Sequence, residues 1–138
     1  MPPDGFSYHT LIHIRYGDMD TLGHVNNAKY LTYIEQARLG LFRDLGLWTG
    51  GPTPVGVIVA KITMEYKLPL TLDDATVDIW TRCSRLGGKS FDIEQLLLRR
   101  DGAIAANSQS VMVVYDYEAN ATTPLPAEWR ARLTERMK

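Results

Sequence analysis

Residues 15–30 read RYGDMDTLGHVNNAKY, a polar turn that leads directly into the one long amphipathic run of the chain. The turn from Gly17 to Gly23 carries two carboxylates, and Asn26 and Asn27 are of the residue type that caps helices. The first N–H groups of a helix have no partner inside it, so they point at whatever lies in front. A carboxylate beside such donors suits hydrolysis of an acyl group, because one part activates water or attacks while the other holds an oxyanion.

The run from Ala28 to Leu45 predicts a long α-helix. Its apolar residues recur at spacings of three and four, which gives the helix one apolar face: Tyr30, Ile34, Ala37, Leu41 and Leu45. About eighteen residues at 1.5 Å each give a helix of roughly 27 Å, long enough to cross the face of a sheet. Gly46 then stands where a helix-ending glycine is expected.

The sequence on either side of this helix predicts β-strands. Residues 8–16 are rich in β-branched and aromatic side chains and predict a first strand. Later segments predict four more strands, at residues 55–66, 75–86, 89–100 and 103–117. Gly87-Gly88 and Asp101-Gly102 are hairpin signals, so these strands are expected to form an antiparallel meander.

The order of elements predicts one α+β domain over residues 1–138. We expect an antiparallel sheet of about five strands that wraps around the long helix, because the sheet then covers the helix's apolar face. Pro124 and Pro126 introduce a short C-terminal helix. The sheet would keep exposed edges, which favours pairing with a second copy of the chain.

Composition narrows the possible partners. The chain has 138 residues, 45% of them hydrophobic and 22% charged, with a net charge of −1. No basic block is present, so nucleic acid is not an expected partner. No stretch approaches the roughly 20 apolar residues of a membrane span, and the N-terminus lacks a signal-peptide pattern. Cys83 is the only cysteine, which suits a reducing compartment, and a cytoplasmic location is expected.

The run from Asp20 to Tyr30, together with the order of elements, resembles the hotdog-fold acyl-CoA thioesterases, and most of all the 4-hydroxybenzoyl-CoA thioesterase-like group. Weaker matching pieces are Glu35 and Arg38, Tyr66 and Pro69, Gly88-Lys89-Ser90-Phe91, Asp101-Gly102 and Pro124-Leu125-Pro126. The resemblance implies a hotdog fold that hydrolyses acyl-CoA thioesters to free acid and CoA. It implies a homodimer or tetramer with the active site at the subunit boundary, and no cofactor, since the CoA moiety belongs to the substrate.

The resemblance also implies roles at the helix start. Asp20 matches the family's catalytic carboxylate, acting as general base or nucleophile. The backbone N–H that polarises the thioester carbonyl would be that of Asn27, aided by Val25 or Asn26. His24 stands where some relatives have an apolar residue, so it either shares the chemistry or orients water and Asp20. Without the family resemblance, the simpler interpretation of Asp20 is favoured, namely a residue that caps a turn or helix.

Further substrate contacts are expected from two places. Gly23 and Tyr30 lie next to the catalytic candidates, although core packing also explains Tyr30, as it does Tyr66 and Trp80. Arg85, Lys89 and Ser90 flank a predicted hairpin and are candidates for the phosphates and pantetheine arm of CoA. An ordinary charged hairpin tip explains these three residues equally well.

Several other polar residues have simpler interpretations. In an extended segment, Asp18 would point the same way as Asp20, but a solvated or Arg15-paired side chain is the plainer expectation. Glu35 could be a second catalytic carboxylate, although an ion pair with Arg38 at i+3 is favoured.

His9 and His13 lie four apart on a predicted strand, a spacing that could suggest zinc. Only His24 could join them, so no metal is expected.

Two other functions remain open from the sequence. Asp20 and His24 could serve proton transfer on carbon in a hotdog enoyl-thioester hydratase or dehydratase. The chain could also be a non-catalytic module that binds acyl-CoA or an acyl-carrier protein. The sequence indicates neither the acyl group nor whether CoA or a carrier protein delivers it.

Overall fold

A computed structural model describes residues 2–137 of the chain. Its elements in chain order are β1 (Tyr8–His13), α1 (Asn27–Asp44), β2 (Val55–Tyr66), β3 (Thr76–Leu86), β4 (Ser90–Arg99), β5 (Ile104–Asp116), β6 (Ala121–Thr122) and α2 (Ala127–Glu135). Short 3-10 turns lie at Tyr16–Asp18 and Leu72–Asp74. The strands form one antiparallel sheet in the order β1-β3-β4-β5-β2, and the two-residue β6 pairs with β5. This architecture confirms the predicted sheet, long helix and short C-terminal helix.

Helix α1 begins and ends within one residue of its prediction because both ends are capped. The side chain of Asn26 accepts a hydrogen bond of 2.8 Å from the Ala28 N–H. At the other end, the Arg132 side chain on α2 donates a 2.6 Å bond to the carbonyl of Leu45. Seven residues of α1 are buried: Tyr30, Tyr33, Ile34, Ala37, Arg38, Leu41 and Phe42.

A polar row divides the core into two apolar clusters, one near the start of α1 and one near its end. Thr81, Gln95 and Ser108 lie in register across β3, β4 and β5, and all three are buried. The Gln95 amide donates a 3.0 Å bond to the carbonyl of Ile34 and a 3.2 Å bond to the Thr81 hydroxyl. These bonds fix the level of α1 along the sheet, because they join the centre of the helix to the central strands.

Strand β2 differs from the others because it lies at the sheet edge and pairs only with β5. Most of its 12 residues are exposed. Its register with β5 shifts between Val59 and Lys61, which places a β-bulge at Ala60. The backbone groups along the far side of β2 have no strand beside them among residues 2–137.

The first strand is shorter than predicted. β1 ends at His13, whereas the sequence pattern predicted a strand to residue 16. Residues 16–18 instead form a 3-10 turn, because the Arg15 N–H bonds to the Asp18 side chain at 3.0 Å and the Asp18 N–H bonds to the Arg15 carbonyl at 2.9 Å. Within residues 2–137, neither α1 nor α2 is long and apolar enough to cross a bilayer.

Candidate active site

The turn that carries Asp20 is held by its own backbone. The Asp20 N–H donates a 2.8 Å bond to the carbonyl of His24, and Met19 and Val25 form an isolated antiparallel bridge. Gly23 has a φ of 83°, a conformation that favours glycine, and this lets the chain reverse within the turn.

Only one oxygen of the Asp20 carboxylate accepts hydrogen bonds from the described residues. Its Oδ1 accepts bonds from the Leu22 N–H at 2.8 Å and the His24 N–H at 3.1 Å. Its Oδ2 makes no hydrogen bond within residues 2–137. Asp20 therefore caps the turn, as the simpler interpretation anticipated, and it still presents one fixed, unengaged oxygen.

The start of α1 leaves one backbone donor unengaged. The Val25 N–H bonds to the Leu70 carbonyl at 2.8 Å, and the Asn26 N–H bonds to the Asp18 carbonyl at 2.9 Å. The Asn27 N–H makes no hydrogen bond within the described part of the chain. The structure thus commits the N–H groups of Val25 and Asn26 to other partners and leaves that of Asn27 available at the positive end of the helix.

A cleft of about 390 Å³ brings these groups together. Its walls are Asp20, Leu22, His24, Val25, Asn27, Tyr30, Tyr66, Lys67, Leu68 and Pro69. Five of the proposed site residues therefore line one cleft, while Gly23 shapes the turn and Asn26 caps the helix beside it.

The opposite wall of the cleft comes from the end of β2. The Tyr66 hydroxyl donates a 3.1 Å bond to the Asn27 carbonyl, and its ring meets the Tyr30 ring edge-on at 5.0 Å. Burial raises the pKa of Tyr30, so its hydroxyl stays neutral near physiological pH. The N–H groups of Lys67 and Leu68 both bond to the Ala105 carbonyl, at 2.8 and 3.0 Å, which fixes this wall to β5.

Sequence reasoning missed Lys67 as a site residue. Its ammonium group lies 3.6 Å from the Glu65 carboxylate and is half exposed. Nothing near Lys67 in the sequence marks it as functional, because it reaches the cleft only through the course of β2, which runs along the sheet edge and ends at the start of α1. Tyr66 and Pro69 did carry a weak signal, since they belong to the family resemblance.

Asp18 supports the turn from the core side. Its carboxylate is 1% exposed and accepts a 2.6 Å bond from the Tyr33 hydroxyl, together with bonds from the N–H and guanidinium of Arg15 at 3.0 and 3.4 Å. Burial alone would raise the pKa of Asp18, but the bonds from Tyr33 and Arg15 outweigh it and hold that pKa below 3.8.

The expected pairing of Asp18 with Arg15 is confirmed, at 3.4 Å. The expectation that Asp18 points the same way as Asp20 was wrong, because residues 16–18 form a 3-10 turn and not an extended segment. The Asp18 side chain is bonded to Tyr33, whereas Asp20 lines the cleft.

The hairpin candidates lie away from this cleft. The Arg85 guanidinium forms a bidentate pair with Asp92, at 2.9 and 2.8 Å, and bonds to the Ser90 hydroxyl at 3.0 Å. Lys89 lies beside them at the tip between β3 and β4. The ion pair with Asp92 therefore occupies the group of Arg85 that would bind a phosphate.

Strand register gives the separation of this hairpin from the cleft. Ser90 pairs with Val113, whereas Tyr66 pairs with Ala106, seven positions further back along β5. Seven residues of strand span roughly 23 Å. Within one chain, Arg85, Lys89 and Ser90 are therefore at the other end of the sheet, and their binding of CoA stays a prediction.

The favoured ion pair between Glu35 and Arg38 was also wrong. Arg38 is only 4% exposed and its Nη1 has no hydrogen-bond partner in the described residues, while Glu35 is exposed. Burial lowers the pKa of Arg38, and the distant charge of Glu35 compensates only in part.

The remaining candidates are placed elsewhere. Trp80 alternates with the buried Ile79 on β3, so it lies on the sheet face away from α1, where it stacks on His9 at 4.6 Å. His9 also contacts the Asp78 carboxylate at 2.9 Å. Among residues 2–137, no group of three or more His, Cys, Asp and Glu side chains is close enough to hold a metal ion.

The arrangement can act on a polarised carbonyl. An unengaged carboxylate oxygen can activate water or attack, and an unengaged N–H at a helix start can bind the negative oxygen that results. Both line the same cleft, with a cation at its rim.

Comparison with known proteins shows the family to which the chain belongs. The sequence profile of the thioesterase-like superfamily matches residues 14–133. The long-chain acyl-CoA thioesterase FadM of Escherichia coli is 29% identical over 131 residues, which cover 94% of this chain and 98% of FadM. The acyl-CoA thioester hydrolase YbgC of Escherichia coli is 26% identical over 107 residues, which cover 76% of this chain and 79% of YbgC.

Solved structures show the same fold. The crystal structure of a thioesterase from Thermus thermophilus, complexed with coenzyme A and Zn, superimposes with a TM-score of 0.83. It is 32% identical, and the match covers 98% of this chain and 97% of that one. The chain therefore belongs to the thioesterase-like superfamily, and it is a hotdog-fold enzyme of the acyl-CoA thioesterase class.

Proposed function

We propose that this enzyme hydrolyses acyl-CoA thioesters with Asp20 as the catalytic carboxylate and the Asn27 N–H as the donor to the thioester oxygen. One observation carries the assignment: the unengaged Oδ2 of Asp20 and the unengaged N–H of Asn27 line the same cleft. No other pair among the described residues of this cleft offers a carboxylate and a free helix-start donor together.

The chemistry follows from these two groups. The Asp20 carboxylate takes a proton from water while the water oxygen bonds to the thioester carbon, and the carbonyl electrons move to the oxygen. The Asn27 N–H and the positive end of α1 stabilise that oxyanion. The carbonyl then re-forms, the carbon–sulfur bond breaks, and the CoA sulfur leaves with the proton that Asp20 held. In the nucleophilic alternative, Asp20 bonds to the carbon, CoA leaves, and water hydrolyses the resulting mixed anhydride.

His24 acts in two separate ways in this proposal. Its backbone N–H fixes the Asp20 carboxylate. Its ring is exposed at the cleft, where it can orient the attacking water or contact the substrate. Lys67, at the same rim, is the cation best placed in this chain for a phosphate of CoA.

We further propose that the enzyme is a homodimer joined through β2. This edge presents unpaired backbone and apolar side chains, of which Ile58, Val59 and Ile62 are 40%, 37% and 37% exposed. A two-fold pairing that uses all 12 residues sets Val55 of one copy beside Tyr66 of the other. Ser90 of the second copy then lies roughly 10 Å along the strands from Tyr66, against roughly 23 Å in the same chain. The dimer thus supports a role for that hairpin in CoA binding.

The base is tested by replacing Asp20 with Asn and with Ala. We expect kcat for thiol release from acyl-CoA to fall at least about a hundredfold in both variants. Asp73→Asn, which changes an exposed acid outside the cleft, is the matched control and should keep full activity. Full turnover by both Asp20 variants would overturn the assignment.

The oxyanion donor can be removed without disturbing the helix. Asn27 is the first residue of α1, where proline is favoured, and Asn26 already has φ −59° and ψ 135°, which a following proline requires. Asn27→Pro removes the backbone N–H together with the asparagine side chain, and kcat should fall roughly 10²- to 10³-fold. Asn27→Ala keeps the N–H and should keep the rate. Equal rates for the two variants would contradict the proposal.

The same assays separate the other functions. Loss of enoyl-CoA absorbance without thiol release would indicate a hydratase, and tight acyl-CoA binding without turnover at any chain length would indicate a binding module.

A further inference from the structure

A second cavity, of about 430 Å³, lies at the far end of α1. Its walls include Leu39 and Phe42 of α1, Trp48 of the following loop, Val57 of β2, Tyr117, and Trp129 of α2. No charged side chain of the described residues lines it. A cavity of this size lies within the range of small-molecule sites, and its apolar and aromatic walls suit an alkyl chain.

Within one chain, this cavity is poorly placed for the substrate. From Asn27 to Leu39, α1 rises about 18 Å. Leu31, Arg38 and Phe42 follow one another along the flank of α1 that joins cleft and cavity, because their spacings are seven and four. An alkyl chain on this route would cross the Arg38 guanidinium, which is buried and has an unpartnered Nη1 among the described residues.

Across the proposed dimer, the same cavity adjoins the cleft of the second copy. The pairing that sets Val55 beside Tyr66 also sets Val57, a wall of the cavity, beside Met64 of the other copy. Val57 and Met64 both lie on the sheet face towards α1, since they pair with the buried Val114 and Ser108. Tyr66, a wall of the cleft, is two residues beyond Met64, so the two sites are roughly 8 Å apart.

We propose that the cavity of one copy binds the alkyl end of the acyl group whose thioester is cleaved in the cleft of the other copy. This inference rests on the proposed function and the proposed dimer, and it specifies the substrate class. An alkyl chain advances roughly 1.3 Å per carbon, so unbranched acyl groups of about eight carbons or more reach the cavity. Acyl groups with a charged distal end do not fit, because nothing in the cavity compensates the charge.

The first test fills the cavity. In Val57→Trp, the new indole ring occupies the cavity from β2, and in Leu39→Trp it occupies the cavity from α1. We expect the ratio of kcat/KM for dodecanoyl-CoA to that for butyryl-CoA to fall at least about tenfold in both variants, since each buried methylene contributes about 0.8 kcal/mol. A ratio does not depend on the fraction of active protein. Val111→Trp adds bulk on the opposite face of the sheet, on β5 and away from the proposed dimer edge, and should leave the ratio unchanged.

The second test asks whether cleft and cavity come from different copies. Asp20→Asn and Val57→Trp are placed on separately tagged chains, and the mixed dimer is purified through both tags. If the acyl group crosses between copies, one of the two sites combines an intact Asp20 with an open cavity, and up to half of the wild-type dodecanoyl-CoA activity returns. If cleft and cavity of the same copy work together, neither site is intact, and activity stays at the level of the two parental dimers.

The outcomes distinguish this inference from the proposals beneath it. Wild-type protein that releases no thiol from any acyl-CoA would overturn the function, and the inference with it. A wild-type monomer would overturn the proposed dimer and the inference, but not the proposed hydrolysis. A mixed dimer without recovered activity beside an active wild-type dimer would overturn the inference alone.

Discussion

Tyr33 of α1 donates a 2.6 Å hydrogen bond to the carboxylate of Asp18, and both residues are almost completely buried. This bond joins the central helix to the segment that ends at the catalytic candidate, Asp20. The same segment is held a second time, where the Asn26 N–H bonds to the Asp18 carbonyl. Asp18 therefore fixes the backbone that leads to Asp20 and the backbone at the start of α1.

Removing the Tyr33 hydroxyl should destabilise the fold measurably. Tyr33→Phe leaves a buried carboxylate with one partner fewer, and we expect the free energy of unfolding to fall by about 2 kcal/mol. Urea unfolding measures this change. Tyr16→Phe, in the same segment but at a side chain that is 76% exposed, should change the value by less than about 0.5 kcal/mol. Similar losses in both variants would mean that the bond to Asp18 contributes nothing specific.

The buried carboxylate also predicts an acid dependence of stability. The folded-state pKa of Asp18 lies below 3.8, so its ionised form stabilises the fold above that pH, and the contribution is lost as pH falls through the folded-state pKa. Asp18→Asn removes this titration. The difference in unfolding free energy between wild type and Asp18→Asn should be constant near neutral pH and shrink below about pH 4. A difference that stays constant down to about pH 2 would contradict the assignment.

The helix and most strands could be predicted because their signals are local. The three- and four-residue spacing marks α1, and Gly87-Gly88 and Asp101-Gly102 mark the hairpins, so the observed ends of these elements differ from the predicted ends by only a residue or two. Asp20 and Asn27, to which the family resemblance pointed, line one cleft because the turn and the helix start are adjacent in the sequence. The burial of Asp18 could not be predicted, because nothing in residues 16–18 distinguishes a 3-10 turn from an extended segment.

Other features depend on contacts between distant segments. Lys67 reaches the cleft only through the course of β2. The Nη1 atom of Arg38 is buried and has no hydrogen-bond partner among the described residues, because the sheet covers this side of α1. The i, i+3 spacing of Glu35 and Arg38 predicted a surface ion pair, but burial of Arg38 overrode that local preference. The spacing of residues along the chain does not indicate which distant segments will pack together.

Two glycines near the site should respond in opposite ways to alanine. Gly23 has a φ of 83°, so Gly23→Ala strains the turn although its Cβ would meet no atom within 4 Å. We expect a loss of about 1 kcal/mol in stability and a lower kcat, because the Leu22 and His24 N–H groups that hold Asp20 would shift. Gly17 is equally open and has no positive φ, so Gly17→Ala should be neutral or slightly stabilising. Thermal unfolding and thiol release measure both; unchanged behaviour in Gly23→Ala would show that the turn tolerates the strain.

The proposed pairing of β2 with its copy can be tested by introducing opposite charges at two residues. Val59 and Ile62 lie on the sheet face towards α1. In the full 12-residue pairing, Val59 of each copy lies beside Ile62 of the other copy. Val59→Lys and Ile62→Asp each bring a charge against an apolar partner, and either change alone should weaken the dimer at least about tenfold, or about 1.4 kcal/mol. Sedimentation equilibrium over a range of protein concentrations measures the dissociation constant.

Combining the two changes in one chain restores complementarity. In the double variant, the lysine introduced at position 59 of each copy would face the aspartate introduced at position 62 of the other copy. Such opposite charges across strands contribute roughly 0.2–1 kcal/mol per pair. The double variant should therefore dimerise more tightly than the sum of the two single losses predicts, and the difference is the coupling energy between the positions. Release of thiol from dodecanoyl-CoA should recover in parallel, because in the proposed dimer the acyl chain occupies the cavity of the second copy. Strictly additive losses, or single variants that dimerise like the wild type, would mean that the copies meet through a different register or a different surface.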